Sequence, residues 1–444
     1  MKRKLSLLLC AALSLSLLSG CGGGGGGQSA SLGGQETSVP QESVSQEPEQ
    51  VEPAPEGYPV VTDDYGNSSP EGYAIDHAPE QYLTSAYHHY DVDTSTEEEI
   101  TVGDYVYTVS TIDGSTEKVA VCQEYVGPSE GITEIIIPGE INGIKVYNVG
   151  PLSLPDSVTS VTVEEGVEVL AYCFQGMPNL THVELPDSLL RIFESFCDVP
   201  LLTEIALPSK LYWLQGFHRC SGLTQVAIPE SVGYIQAFDD CNLESVTIEG
   251  TGLYCLDYNS FRNNPNLTKV DLPDSVRAIA AGCFMDTAIS EFDVPACLQG
   301  VAPLGTFNKT EQNERILQNT PYMAAVEDEF LIWNDHYLVA YMGNATSVTI
   351  PDGITHVCNH AFAGNTAVQE IIIPEGVEVV AGSAIWGTTS LTHLDLPASL
   401  TYFGGFPYDT KKALPKSFVA TIPQGSVAQE KFDSGKTKLA YTFK

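Results

Sequence analysis

The feature that most constrains the fold is a short motif that returns along the chain at intervals of 20 to 24 residues. Its first half reads Leu-Thr-x-Val-x-Leu-Pro or a close variant in the copies Leu180–Pro186, Leu202–Pro208, Leu223–Pro229, Leu267–Pro273 and Leu391–Pro397. Further copies without the leading Leu-Thr pair end at Pro138, Pro295, Pro351 and Pro374. Self-similarity at this period is typical of repeat proteins, in which each unit folds against its neighbours.

Each unit predicts one short strand and a second apolar segment. The Val-x-Leu alternation gives the strand a single buried face, and the proline ends it because proline cannot donate a hydrogen bond to a sheet. A second signature follows, as in Asp274–Ile279 and Glu375–Val380, and often leads to a phenylalanine such as Phe174, Phe284 or Phe362. A unit of about 22 residues cannot bury such a face alone. Because long segments of helical period are nearly absent, we expect a mainly β solenoid.

The complete unit, Leu-Thr-x-Val-x-Leu-Pro-x-Ser-Val-x-x-Ile followed by Ala-Phe or Cys-Phe, resembles the BspA-like leucine-rich repeats of bacterial surface proteins. A Cys or Asn three residues after the phenylalanine belongs to the same pattern, as at Cys220, Cys241 and Asn365. The resemblance covers roughly residues 100 to 425. It implies a leucine-rich repeat solenoid of about ten repeats and a role in adhesion or host-protein interaction.

The repeats also suggest where the domains begin and end. The predicted parts are an N-terminal cap at 98–150, repeats at 151–301, an insertion at 302–344, repeats at 345–423 and a C-terminal cap at 424–444. The N-terminal cap is assigned by its similarity to the family. Within the insertion, Phe330–Tyr341 predicts two strands about a turn at Asn334-Asp335, which is a β-hairpin inserted in the array.

The first 97 residues predict export and a tether rather than a folded domain. Residues 1–20 have a basic start and an apolar run that is too short to span a membrane, which is typical of a secretory signal peptide. The sequence Leu-Ser-Gly before Cys21 resembles the bacterial lipobox, which implies cleavage before Cys21 and lipidation of that residue. An ordinary secretory signal with a coincidental cysteine is the alternative. Residues 21–97 are rich in Gln, Glu, Ser, Pro and Gly and predict an acidic disordered tether.

The charge balance narrows the classes of partner. The chain has 57 Asp and Glu against 20 Lys and Arg, and a formal net charge of −37. Nucleic acids and anionic membranes bind proteins through Lys and Arg, so neither is an expected partner. We expect membrane contact only through the lipid on Cys21, with the repeats on the extracytoplasmic side of the bacterial cell envelope.

No motif predicts catalysis, a metal or a cofactor. The sequence has no Gly-x-Ser-x-Gly elbow, no His-Glu-x-x-His pair and no phosphate-binding loop. Nine of the 11 cysteines remain after Cys10 and Cys21 are set aside, and without a Cys-x-x-Cys pair most are predicted to be small buried residues. The run His356-x-Cys358-x-His360 lacks a fourth ligand, so we predict no metal site there.

The best candidate for a binding surface is one column of the repeat. The residue before the hydrophobic centre of the second segment is Arg191, Trp213 and Tyr234 in three successive units, and Tyr212 adjoins Trp213. Stacked units would place these side chains together, and exposed aromatics beside an arginine commonly bind a protein or a sugar ring. The alternative is that they pack on loops of neighbouring units. We therefore expect a non-enzymatic protein that binds an extracellular macromolecule, with a glycan-binding module as the rival hypothesis.

Overall fold

A computed structural model describes residues 60–62, 68–70 and 92–444, except 254, 281, 297, 299–314, 406–413 and 435–438. The chain divides into Met1–Pro55, which lies outside the described residues, and Glu56–Lys444, which contains every element below. The predicted signal peptide, Cys21 and nearly all of the predicted tether therefore lie outside the described residues. Within the described ranges, no helical segment combines the length and apolar character needed to cross a bilayer.

The described chain begins with antiparallel pairing. These first strands are β1 (Val60–Thr62), β2 (Ser68–Pro70), β3 (Val92–Val102), β4 (Tyr105–Ile112), β5 (Lys118–Tyr125), β6 (Glu134–Ile137), β7 (Glu140–Ile141) and β8 (Ile144–Val149). Strands β3, β4 and β5 form a meander, and β5 then pairs in parallel with β8. β3 starts inside the segment predicted as tether, where the Thr96 hydroxyl accepts a hydrogen bond from the Thr111 N–H at 2.9 Å. The switch from antiparallel to parallel pairing begins the solenoid.

The second segments of the early repeats form one long sheet. After β8 its parallel strands are β10 (Val169–Ala171), β12 (Arg191–Phe193), β13 (Trp213–Gln215), β15 (Tyr234–Gln236), β17 (Cys255–Leu256) and β18 (Ala278–Ile279). The first segments form separate short sheets that contain β6, β9 (Ser160–Val163), β11 (His182–Glu184), β14 (Gln225–Ile228) and β16 (Ser245–Ile248). The copies that begin at Leu202 and Leu267 contain no strand in their first segment, so the pairing there is interrupted.

The second half of the array has the same arrangement. Second segments supply β20 (Tyr337–Tyr341), β22 (His356–Val357), β24 (Val379–Val380) and β26 (Tyr402–Phe403), with β19 (Phe330–Trp333) at the edge. The other sheet contains β21 (Ser347–Thr349), β23 (Glu370–Ile372), β25 (His393–Asp395), β27 (Val419–Ile422) and β28 (Ala440–Phe443). The described helices are α1 (Pro321–Ala324) and α2 (Val427–Ser434). The mainly β solenoid is thus confirmed.

The predicted hairpin is present and is part of the sheet. The His336 N–H donates to the Trp333 carbonyl at 3.2 Å around Asn334 and Asp335, whose φ values of 48° and 61° match a type I′ turn. β20 pairs antiparallel with β19 and parallel with β22. The second strand of the hairpin therefore belongs to the first turn of the second half of the solenoid. The aromatic side chains of Trp333 and Tyr337 are only 3% and 5% exposed. They belong to the core rather than to a surface that could bind a sugar.

A ladder of stacked phenylalanines runs through the core of the first half. The rings of consecutive turns lie 4.8 to 6.0 Å apart between centroids, and every member is fully buried. The members are Phe174, Phe196, Phe217, Phe238, Phe261 and Phe284. Each ring inside the ladder is therefore flanked by the rings of the turns on both sides.

Side-chain donors connect the backbone of successive turns beside this phenylalanine ladder. The Cys220 thiol donates to the Phe196 carbonyl at 2.8 Å, and the Asn264 amide donates to the Phe238 carbonyl at 2.8 Å. This explains why Cys and Asn share the third position after the phenylalanine. The eight cysteines that the structure describes in the array are buried, as predicted, and none of them is in a disulfide. Burial raises the pKa of the Cys220 thiol to about 12.

The phenylalanine ladder predicts a large loss of stability when one ring is removed. Phe261→Ala leaves a cavity between the rings of Phe238 and Phe284, and should lower the free energy of unfolding by about 3–5 kcal/mol. Chemical denaturation of the purified chain measures this change. The matched control is Phe443→Ala, because Phe443 is 49% exposed and its removal should cost less than about 0.5 kcal/mol. Equal effects of the two substitutions would contradict the ladder as the main source of stability.

Candidate functional site

The structure places the predicted column of side chains on neighbouring strands. Arg191, Trp213 and Tyr234 are register partners on β12, β13 and β15. The Trp213 indole stacks on the Tyr234 ring with 3.8 Å between centroids and 16° between planes. All three side chains lie on the face of the long sheet opposite Ile192, which is fully buried.

The prediction that this column is exposed is wrong for Arg191, Tyr212 and Tyr234. Arg191 is 2% exposed, Tyr234 is 4% exposed and Tyr212 is 9% exposed, whereas Trp213 is half-buried. Parallel strands lie about 4.8 Å apart, so large side chains at equivalent positions cover one another. A role of these four residues in partner binding stays a prediction.

The same face carries one aromatic and two amide side chains two positions further along each strand. Phe193, Gln215 and Gln236 are half-buried there. The Trp213 indole N–H donates to the Gln215 amide oxygen at 3.2 Å, which holds the indole edge beside the amide. We call Phe193, Trp213, Gln215 and Gln236 the aromatic–amide patch. It combines ring surface with hydrogen-bonding groups that are only partly removed from water.

A buried carboxyl ends this row of polar side chains. Asp257 is 5% exposed and accepts hydrogen bonds from the Tyr234 hydroxyl and from the Tyr258 N–H, the latter at 2.7 Å. Burial raises the pKa of the Asp257 carboxyl to about 7, although the hydrogen bond from Tyr234 opposes the rise. Part of the Asp257 population is therefore protonated at neutral pH.

A second polar group, which sequence reasoning missed, lies in the turns after β12, β13 and β15. The Glu194 carboxylate accepts from the Cys197 thiol at 3.1 Å and from the Gln215 amide at 3.2 Å. His218 Nε2 lies 3.3 Å from the same carboxylate, and His218 Nδ1 contacts the Asp239 carboxylate. We call Glu194, Cys197, His218 and Asp239 the turn cluster. Gln215 belongs to the patch and touches the turn cluster, so the two are hydrogen-bonded to each other.

An unusual backbone conformation positions Glu194. Its φ of 48° lies in the left-handed region, which a non-glycine residue rarely adopts. The equivalent residue of the next turn is Gly216, with φ of 109°, and a Cβ at Gly216 would lie 2.9 Å from the Cα of Glu194. The absent side chain at Gly216 thus lets the two turns approach closely and brings Glu194 within reach of His218.

Burial and neighbouring groups shift the pKa values of Glu194 and Cys197 in the turn cluster. Burial favours a raised pKa for the Glu194 carboxyl, but the hydrogen bond and attraction from His218, with help from Cys197 and Gln215, bring that pKa below its ordinary value. Burial raises the pKa of the Cys197 thiol, and the neighbouring carboxylate of Glu194 raises it further. Glu194 is therefore an anion, while Cys197 retains its proton in the absence of a stronger partner.

Within the described part of the chain, Glu194, Cys197 and His218 are the one set of three metal-ligating side chains whose ligand atoms all lie within 4.8 Å of one another. His356, Cys358 and His360 are not gathered in this way. Burial lowers the pKa of both His356 and His360 to about 4. Members of the turn cluster are spread over residues 194–239, so no short motif contains them. Aligning the turn residues of successive repeats could have found them.

A comparison with protein-family models identifies the repeat. A family model described as BspA type leucine rich repeat region matches in six copies over residues 128–236, 194–312 and 335–422. Together these ranges include more than half of the 444 residues. No curated protein matches the chain.

Several solved structures are similar over much of the chain. A leucine rich cell surface protein from Faecalibacterium prausnitzii A2-165 is 19% identical, with 78% of this chain and 94% of that chain covered and a TM-score of 0.36. The T. pallidum leucine rich repeat protein TpLRR is 22% identical over 49% of this chain and 83% of its own, with a TM-score of 0.28. The pneumococcal vaccine antigen PcpA is 14% identical over 78% of this chain and 98% of its own, with a TM-score of 0.32.

The raised pKa of Asp257 predicts a pH dependence of stability. The folded chain holds this proton up to about pH 7, whereas the unfolded chain releases it near the ordinary value of 3.8. Between these values the folded state binds more protons, so the contribution of Asp257 to stability falls as pH rises. Asp257→Asn should remove this fall, and the difference in unfolding free energy between the variant and the native chain should increase from pH 4 to pH 7. Denaturation curves across this range measure it.

The control for this titration is Asp293→Asn, because Asp293 is exposed. Its difference from the native chain should be nearly constant over the same pH range. A constant difference for Asp257→Asn as well would show that Asp257 titrates as an ordinary carboxyl.

Proposed function

Because the chain belongs to the BspA-type leucine-rich repeat family, we propose that it is a non-enzymatic cell-surface protein whose repeat array binds an extracellular protein. Family membership supports the general class of role, since repeat arrays present long continuous surfaces suited to macromolecules. It does not by itself identify a ligand, because binding sites differ among proteins of one fold.

The observation that carries the proposal is the aromatic–amide patch. Half-buried Trp213 shares its strand with Gln215 and lies between the strands that supply Phe193 and Gln236, so one region offers apolar contact area and hydrogen-bonding amides. Tryptophan is strongly enriched among the residues that dominate binding energy at protein interfaces. The indole already satisfies its N–H through Gln215, so a partner can cover it without leaving a buried donor unpaired.

The geometry of Trp213 favours a protein over a glycan. A sugar ring binds an aromatic residue by lying on its flat face. One face of the Trp213 indole is covered by Tyr234 at 3.8 Å, and the strand register places Arg191 on the opposite side. Contact with the exposed edge suits the side chains of a protein surface better than it suits a flat sugar ring.

The charge of the chain indicates what kind of protein surface fits. Acidic residues outnumber basic residues by 57 to 20, and the patch adjoins the carboxylates of Glu194 and Asp239, whose side chains are 22% and 15% exposed. Complementary charge accelerates association and selects among partners. A partner surface with Lys and Arg around an apolar centre is therefore the best fit.

The proposal predicts that Trp213 is required for binding. We expect the purified chain to bind saturably to at least one basic protein in a panel of arrayed extracellular proteins and glycans. Trp213→Ala should weaken that binding at least tenfold, about 1.4 kcal/mol, because it removes the central contact of the patch. Surface plasmon resonance at two salt concentrations measures affinity and the charge contribution.

A second tryptophan provides the matched control. Trp386 is also half-buried but lies in the other half of the array, so Trp386→Ala should leave the affinity within about twofold. Binding only to glycans, with the same dependence on Trp213, would replace the proposed protein partner with a sugar. Protein binding that is equally strong in the Trp213→Ala variant would exclude the patch as the site.

We also propose that Cys21 carries a lipid that anchors the chain to a bacterial membrane. The basic start, the apolar run and the Leu-Ser-Gly-Cys ending support this, and residues 21–97 would then separate the array from the membrane surface. A single acyl chain holds a protein only weakly, so a stable anchor needs more than one. The proposed anchor is therefore a multiply acylated Cys21.

The anchor predicts a defined product in a host that processes lipoproteins. Intact mass spectrometry should show a chain that begins at Cys21 and carries at least two acyl groups. Cys21→Ser should abolish both the acylation and the membrane fraction, whereas Cys10→Ser should change neither, because Cys10 lies within the signal peptide. A soluble chain cut at another residue would exclude the anchor.

A further inference from the structure

We propose that the turn cluster is a zinc site, in which Glu194, Cys197 and His218 are the ligands and Asp239 orients the histidine. The proposal stands on the positions of these side chains and is independent of the proposed protein partner. It differs from the sequence prediction, which found no metal motif because the ligands come from two successive turns.

The ligand atoms have separations suited to a single small cation. Zinc binds nitrogen and oxygen at about 2.0–2.2 Å and sulfur at about 2.3 Å, so tetrahedral ligands are separated by about 3.3–3.8 Å. Oε2 of the Glu194 carboxylate lies 3.1 Å from Cys197 Sγ, and Oε1 lies 3.3 Å from His218 Nε2. The third separation is also within 4.8 Å. Small rotations of these side chains would bring one Glu194 oxygen, Cys197 Sγ and His218 Nε2 to a common centre.

The environment of His218 is that of a metal-binding imidazole. Its Nδ1 contacts the Asp239 carboxylate, and its Nε2 lies 3.3 Å from the Glu194 carboxylate. With Nδ1–H donated to Asp239, the Nε2 lone pair would be available to an ion placed between His218 and Glu194. Metal-bound histidines usually donate their other ring N–H to a carboxylate, which fixes the tautomer and the ring orientation. Asp239 therefore acts as a positioning residue and not as a ligand.

The contact made by the Cys197 thiol sets it apart from other cysteines of the array. Cys173, Cys220 and Cys241 donate to backbone carbonyls at 2.9, 2.8 and 3.1 Å, and thus connect consecutive turns. Cys197 instead donates to the Glu194 carboxylate. On zinc binding the thiol proton is released to solvent and the thiolate replaces that hydrogen bond with a metal–sulfur bond.

The chemistry of the three ligands selects the metal. Thiolate and imidazole prefer zinc and related transition metals, whereas calcium and magnesium prefer sets of oxygen ligands. Three protein ligands leave the fourth position of a tetrahedral ion open to water. The site also lies at the surface, since the side chains of Glu194 and His218 are 22% and 17% exposed, so the ion and its water have access.

Zinc binding is expected to clamp adjacent turns together. Glu194 and Cys197 follow β12, His218 follows β13, and Asp239 follows β15. A ligand that binds only the folded state stabilises it in proportion to the logarithm of its concentration relative to the dissociation constant. Zinc should therefore raise the unfolding temperature of the chain.

The test uses zinc and cobalt with the purified chain, first treated with a chelator and then kept in excess calcium. The excess calcium is added to compete with zinc for binding to carboxylates alone, because oxygen-only sites prefer calcium. Isothermal titration calorimetry should show one zinc bound per chain, and cobalt should produce a sulfur-to-metal charge-transfer band in the near ultraviolet. The cobalt spectrum of the native chain tests thiolate ligation without any substitution.

Substitutions then identify the ligands. Cys197→Ser should abolish the charge-transfer band, and His218→Ala should weaken zinc binding more than Asp239→Asn, for which about 10- to 100-fold is expected. Cys173→Ser is the matched control and should bind zinc as the native chain does. Serine is tolerated at that position of the repeat, because the Ser260 hydroxyl makes the equivalent hydrogen bond to the Ile235 carbonyl at 2.9 Å.

Three results would overturn the proposal. They are no zinc binding above the calcium background, a cobalt complex without thiolate absorption, and undiminished zinc affinity in a folded Cys197→Ser chain. Any of them would leave the turn cluster as an ion pair of His218 with Glu194 and Asp239.

Discussion

The stacking of each buried phenylalanine on those of the neighbouring turns is the interaction on which the rest of the structure depends. A turn of the solenoid is too small to enclose a ring such as Phe217, so the ring is covered by Phe196 on one side and by Phe238 on the other. A single turn therefore cannot exclude water from its core without the neighbouring turns. The thiol and amide donors next to the rings also hold successive turns together, because each donates a hydrogen bond to a backbone carbonyl of another turn.

This stacking also decides which side chains can act together. Once the turns are held at strand spacing, residues that are 21 or 22 positions apart become direct neighbours, as Trp213 and Tyr234 or Arg191 and Trp213 are. The same closeness removes much of their surface from water. A column of large side chains on a parallel sheet thus forms a continuous surface from which only parts of each residue remain available to a partner.

The turn cluster shows how backbone conformation adds to this effect. Glu194 is held in a left-handed conformation, and the following turn has Gly216 at the equivalent position, where a side chain would press on Glu194. Close approach of these two turns brings a carboxylate, a thiol and an imidazole together at the edge of the aromatic–amide patch. The proposed partner surface and the proposed zinc site are therefore neighbours joined through Gln215.

Much of the fold could be predicted because it rests on local patterns. The alternation around each proline, the apolar Val-x-x-Ile segment and the Asn334-Asp335 turn each encode their own conformation, and the structure has the solenoid and the hairpin that they predict. The start of β3 at Val92 could not be predicted in this way. That polar strand is held by pairing with β4 and not by an apolar face of its own.

By itself, the sequence determined the repeat, the stacking of its turns into a solenoid and the residues that share a column, because these follow from periodicity and from the need to bury one face. Only the tertiary structure decided that Arg191 and Tyr234 are buried while Trp213 is half-buried, and that Glu194, Cys197 and His218 meet. Exposure depends on how neighbouring side chains cover one another, and the meeting of those ligands depends on backbone angles in two separate turns. Both properties depend on contacts between repeats, so neither could be predicted from the sequence of a single repeat.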